Sequence, residues 1–95
     1  MNKIIRKVRL SDEVYKIVVE APLIAAERRP GQFVIVQLDS QFGERIPLTI
    51  ADADPAEGSI TLIFQVVGGT TARLAALRAG DTIEHVVGPL GRPTH

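Results

Sequence analysis

Apolar and polar residues alternate with a period of two along most of the chain, in short runs closed by Gly, Pro, Asp or Ser, which is the pattern of half-buried β-strands. Lys3–Leu10 is the first such run. Ser11 and Asp12 turn the chain into a second run, Glu13–Glu20, where Tyr15, Ile17 and Val19 share a face, so the two are expected as a hairpin. Pro22 ends the second strand, and Leu23–Arg29 reads as a connection closing on Pro30-Gly31, a dipeptide suited to a type II turn. Gln32–Leu38 and Ile46–Ala51 follow as the third and fourth strands. The Asp, Pro and Gly residues of 52–58 then form a turn, and Ser59–Val67 alternates most regularly, with Ile60, Leu62, Phe64 and Val66 on one face.

One segment leaves the period of two. Thr70–Arg78 sets Leu74 and Leu77 three apart among good helix formers, behind Gly68-Gly69-Thr70-Thr71 as a cap, and predicts a single short helix. Ala79-Gly80-Asp81 stops it, and Thr82–Val87 supplies a sixth strand before Gly88-Pro89-Leu90-Gly91-Arg92-Pro93. The pattern predicts an all-β fold, a six-stranded antiparallel Greek-key barrel with one short helix before the last strand, closed so that no long edge is left bare.

Composition narrows the function classes. Ninety-five residues, 45% hydrophobic and 23% charged, fit one small core and exclude a cleft between two domains within this chain. With no cysteine there is no disulfide, thiolate metal site or cysteine nucleophile, which fits a reducing compartment, and a cytoplasmic location is expected. Eleven basic residues balance eleven acidic ones, without the single-sign excess that phosphate-driven nucleic-acid binding requires. Lys3, Arg6, Lys7 and Arg9 interrupt the apolar residues of the first ten positions, so no membrane association is expected from them.

No catalytic or metal-binding constellation stands out: the only histidines are His85 and His95, and His85 reads as a solvated strand residue. Two segments carry candidate chemistry. Gly68-Gly69-Thr70-Thr71 stands at a strand-to-helix junction, where free N–H groups and close backbone approach suit a phosphate; the same residues also read as a plain turn and helix cap. Arg45-Ile46-Pro47-Leu48-Thr49 places a proline within a strand, which implies either an ordinary edge or an interrupted ladder whose free backbone groups could meet a ligand.

In order, Pro30-Gly31-Gln32-Phe33, Arg45–Thr49, Phe64–Thr71 with Leu74, and Gly88-Pro89-Leu90-Gly91 resemble the FAD-binding barrel of the ferredoxin–NADP reductase superfamily. Within it the chain is most similar to the flavin-carrying electron-transfer subunits of dihydroorotate dehydrogenase and to the small subunit of NADH-dependent ferredoxin:NADP oxidoreductase. The resemblance covers essentially the whole chain and implies FAD as cofactor. It implies that Pro47, Leu48 and Thr49 lie along the flavin, that Ile63, Phe64 and Gln65 border the adenosine and pyrophosphate side, and that Gly69, Thr70 and Thr71 open the helix beneath the pyrophosphate.

Two departures from the family pattern matter. The family arginine stands two residues before the ring-stacking position, where this chain has Ile46; its arginine is one place earlier, at Arg45, which in an extended strand reverses the side chain's face. Either a local bulge or twist returns Arg45 to the phosphates, or another group, such as the helix N-terminus, takes the load alone. Family members also continue into a nicotinamide-binding domain, and the nearest subfamilies add a cysteine-ligated [2Fe-2S] cluster. The resemblance therefore implies that residues 1–95 are a flavin domain truncated before the nicotinamide-binding domain, from an NAD(P)H-dependent oxidoreductase that passes electrons to an iron–sulfur or ferredoxin-type partner. The competing reading is a small β-barrel that binds an oligonucleotide or a protein and carries no cofactor.

Overall fold

The computed structural model describes residues 2–39, 41 and 43–93, so His95 lies outside the described residues. In chain order the elements are β1 (Asn2–Arg9), β2 (Val14–Glu20), α1 (Pro22–Glu27), β3 (Phe33–Gln37), β4 (Arg45–Asp54), β5 (Ser59–Gln65), α2 (Gly69–Ala76), β6 (Thr82–Ile83) and β7 (His85–Leu90). The strands form one antiparallel sheet in the order β6-β1-β2-β5-β4-β3-β7. β3, β4 and β5 run as a meander and β2 lies against β5, which is a Greek-key arrangement.

The all-β antiparallel expectation holds, and the hairpin of β1 and β2 forms with Ile17 opposite Lys7. Three details differ from it. There are seven strands among the described residues, because the run from Thr82 divides at Glu84. β6 pairs with β1, whereas β7 pairs with β3 at the opposite edge, and Glu84 donates its N–H to the Leu38 carbonyl at 3.2 Å as the chain crosses between them. One run of chain thus brings the two edges of the sheet together into a nearly closed barrel.

The second difference is that α2 precedes two strands rather than one, and β7 continues through Gly88 and Pro89 to Leu90, beyond the expected end of the last strand at Val87. Pro89 is tolerated there because β7 is an edge strand paired only with β3, and the register shift between the Ile35–Val87 and Phe33–Leu90 pairs leaves Gly88 and Pro89 out of the ladder. The third is α1, in the stretch read as a plain connection. Pro22 stands at the start of this helix, where its fixed φ is preorganised and its absent N–H would have had no acceptor. Ile24 and Ala25 are its buried contacts with the barrel end.

The barrel interior is filled by Ile4, Ile17, Val19, Val34, Val36, Ile50, Ile60, Leu62 and Ile83, all essentially without solvent contact, with Leu74 of α2 closing one end. Each contributes about 1.5–3 kcal/mol relative to exposure. Leu74 and Thr71 are the buried residues that seat α2 on the barrel, and so fix where the start of that helix lies.

Candidate functional site

β4 is longer than either neighbour, and its two halves are paired on different sides. Arg45–Thr49 pair with β3, whereas Ile50, Asp52, Ala53 and Asp54 pair with β5, across a bulge between Ile50 and Asp52. The β4–β5 ladder ends at Ile50–Leu62, so Ile63, Phe64 and Gln65 have no partner on β4. The two strands splay apart beyond it.

Backbone alternation determines what faces this opening. Ile50 donates its N–H toward β3, to Gln32, so Thr49 and Pro47 turn their backbone polar groups the other way. Val66 donates toward β2, to Glu13, so Gln65 and Ile63 direct theirs at β4. Pro47 accordingly sits where its missing N–H costs the β3 ladder nothing. Ile46, Pro47, Leu48, Thr49, Ile63, Phe64, Gln65, Val67 and Thr71 line the resulting groove, about 470 Å³ in volume.

At its end the chain turns through Val67 and Gly68 into α2. Gly68 is the N-cap and brings no side chain, so the N–H groups of the first helical turn receive no capping acceptor. Thr71 does something other than point outward. Its hydroxyl accepts from the Val67 N–H at 2.9 Å and the Gly68 N–H at 3.1 Å and donates to the Gly68 carbonyl at 3.1 Å. That buried hydroxyl holds the corner in shape, leaving the N–H groups of Gly69 and Thr70 directed away from the helix, with the dipole favouring negative charge beside them. A Cβ added at Gly68 or Gly69 would meet nothing within 4 Å, so the backbone here is open to close approach.

The corner lines a second hollow of about 640 Å³ with Glu44, Ile46 and Arg73. The two hollows share Ile46, Val67 and Thr71 and are one continuous surface. The structure thus brings together Pro47, Leu48, Thr49, Ile63, Phe64, Gln65, Gly69, Thr70 and Thr71. Phe64 joins from within: its ring is buried and stacked on Tyr15 at 6.0 Å between centroids. Arg45 stands apart, lining a different hollow with Ile35, Gln37, His85 and Val87 on the outside of β3 and β7. The bulge in β4 falls after Ile50, too late to turn Arg45 back.

Ile46 and Val67, which the quoted motifs contain without giving them a role, also line the groove, as do Glu44 and Arg73 from outside those motifs. Val67 lies two residues past β5 and is 77% exposed although apolar, an exposure that only the structure reveals. Arg73 is held at 2.6 Å by Asp39, so the rim is neutralised rather than strongly cationic. No helix among the described residues is long and apolar enough to cross a membrane.

No family model matches the chain. Among curated proteins it is 46% identical over 94 residues to the dihydroorotate dehydrogenase B (NAD(+)) electron transfer subunit homolog of Thermotoga maritima, covering 99% of this chain and 33% of that protein. It is 35% identical over 91 residues to the dihydroorotate dehydrogenase B (NAD(+)) electron transfer subunit of Shouchella clausii, covering 94% and 35%. It spans about a third of the length of these relatives. Among solved structures, an NADH-dependent reduced ferredoxin-NADP oxidoreductase described for flavin-based electron bifurcation superposes with a TM-score of 0.96 at 45% identity, over 100% of this chain and 34% of that one. A ferredoxin NADP+ reductase from Neisseria gonorrhoeae with bound FAD and NADP shares the fold, with a TM-score of 0.73 at 17% identity over 92% and 37%. Over nearly its whole length the chain is similar to about a third of the length of the dihydroorotate dehydrogenase B electron transfer subunits, and it shares its barrel fold with a ferredoxin NADP+ reductase.

Proposed function

We propose that this barrel holds FAD within a longer NAD(P)H-dependent electron-transfer oxidoreductase. The observation that carries the reading is the continuity of the β4–β5 opening with the Gly68–Thr71 corner through Ile46, Val67 and Thr71. A planar ring with polar edges suits the first part, where Pro47, Leu48 and Thr49 face Ile63 and Gln65 and unpaired backbone groups offer donors and acceptors. A diphosphate suits the second, where Gly69 and Thr70 present N–H groups free of any side chain in front of them.

In this reading Thr71 shapes the corner, Phe64 contributes its strand rather than its ring, and Arg45 takes no part in holding the cofactor. FAD, when bound, supplies hydride acceptance from a nicotinamide and release of electrons one at a time; the protein binds and orients it. The names of the relatives, electron transfer subunits and a ferredoxin-NADP oxidoreductase, support this role. A nicotinamide-binding domain and an iron–sulfur or ferredoxin-type partner complete the proposed assembly, in the cytoplasm.

The test is titration of the chain with FAD, following flavin fluorescence and thermal unfolding. Binding at 100 times the dissociation constant stabilises by about 2.7 kcal/mol, a readily seen shift. Absence of both quenching and stabilisation would leave a cofactor-free binding barrel as the reading.

A further inference from the structure

We propose that the outer face of β3, β4 and β7 is a docking surface for an acidic segment of another protein. Gln37 is paired on one side with Arg45 and on the other with His85, so the three form one row across three strands. Ile35 is likewise flanked by Pro47 and Val87 in the next row. Two residues along a strand span about 6.8 Å, so the polar row that carries Arg45 stands that far from an apolar one. The Gln37 amide is anchored on the Gly43 carbonyl at 3.1 Å, which fixes the middle of the first row.

Size argues for a macromolecular occupant. The two rows enclose a hollow of about 170 Å³, and Val87 is shared with a second hollow that reaches Leu23 on α1. Val87 is 55% exposed and Leu23 81%, giving an apolar strip that extends beyond the reach of a small anion.

Charge complementarity argues for its chemistry. Arg45 is exposed and forms no ion pair with a described residue, and no residue lining either hollow is acidic. Glu84 brings a carboxylate to the edge of the face, 3.7 Å from His85 Nε2. A guanidinium fork matches a carboxylate bidentately. Within this face a second copy of this chain offers Arg45 only the Glu84 carboxylate at the edge, which already lies beside His85, and one arginine beside one histidine is too little charge to hold a nucleic-acid backbone. The fitting partner offers a glutamate or aspartate with an apolar side chain about 6–7 Å further on, the separation of positions four apart on a helix.

The probe is a synthetic helical peptide with glutamate and leucine four residues apart, titrated into the chain while backbone amide resonances are followed. Shifts confined to Ile35, Gln37, Arg45, His85 and Val87 are expected. So is at least a fivefold loss of affinity in Arg45→Glu and in Val87→Asp, and loss of binding when lysine replaces the peptide glutamate. The milder Arg45→Gln, which leaves the strand register intact, is expected to weaken binding at least threefold. Shifts elsewhere, equal binding of the lysine peptide, unchanged affinity in folded Arg45→Gln, or dimerisation of the chain through this face in sedimentation would each overturn the proposal.

Discussion

Arg6 on β1 and Glu57 in the β4–β5 turn are joined by two parallel hydrogen bonds, Nη1 to Oε2 at 2.9 Å and Nη2 to Oε1 at 2.8 Å. Ser59 adds a third donor to Glu57 at 2.6 Å. The Arg6 hydrogen bonds, then that of Ser59, hold the Glu57 carboxyl down at about 2 from its ordinary 4.5. A carboxyl depressed in the folded state contributes stability that is present above its unfolded value and is lost as pH falls through the folded one. Urea midpoints of the wild type and Glu57→Gln are therefore expected to differ at neutral pH and to converge between pH 4.5 and 2. A constant difference across that window would show that the pair contributes nothing through its charge.

Thr71→Val removes the acceptor for the Val67 and Gly68 N–H groups while nearly preserving volume. Leaving such donors unsatisfied costs about 1–3 kcal/mol, and Thr71→Ser should recover most of it. Chemical denaturation of the three proteins checks both statements, and equal stability of Val and Thr would show that water replaces the hydroxyl.

Gly69→Ala separates folding from ligand approach. A methyl group there enters open space on a helical residue, so stability is expected to rise by a few tenths to about 1 kcal/mol. FAD affinity is expected to fall about tenfold, because the same methyl stands where the diphosphate would meet the backbone. Affinity unchanged in a stabilised variant would move the phosphate site elsewhere.

Arg45→Ala is expected to leave FAD affinity within twofold of wild type, since Arg45 lines the outer hollow with His85 rather than the groove. Isothermal titration decides the matter. A loss of tenfold or more would mean that the arginine swings to the phosphates on binding.

How much of this was legible beforehand depends on the range of each interaction. Alternation located the strands, because burial of one face is a local property of Ser59–Gln65 or Val14–Glu20. The Gly-Thr corner was legible as a helix start for the same reason. Parity along β4 raised the question of which face Arg45 takes, and the position of the bulge after Ile50 answers it. The α1 helix was not legible, because Pro22 marks both the end of a strand and the start of a helix, and Ile24 declares itself only once a barrel end is there to cover. Nor was the division at Glu84, since β6 and β7 read as one strand until β1 and β3 claim different parts of it. The role of Thr71 depended on the path of Val67 and Gly68, so sequence showed a hydroxyl and only geometry showed that it was already engaged.

The crossing at Glu84 ties the fate of both sheet borders to nine consecutive residues, 82–90. Asn2 meets Ile83 and Ile35 meets Val87, so residues far apart in the chain are joined by its final strands. Such distant pairings carry a large loop-closure cost before they return any energy, which makes sealing the barrel a late and cooperative event in folding. Until that moment β1 and β3 are bare templates on which another chain could pair, and afterwards neither can be unzipped without straining the other.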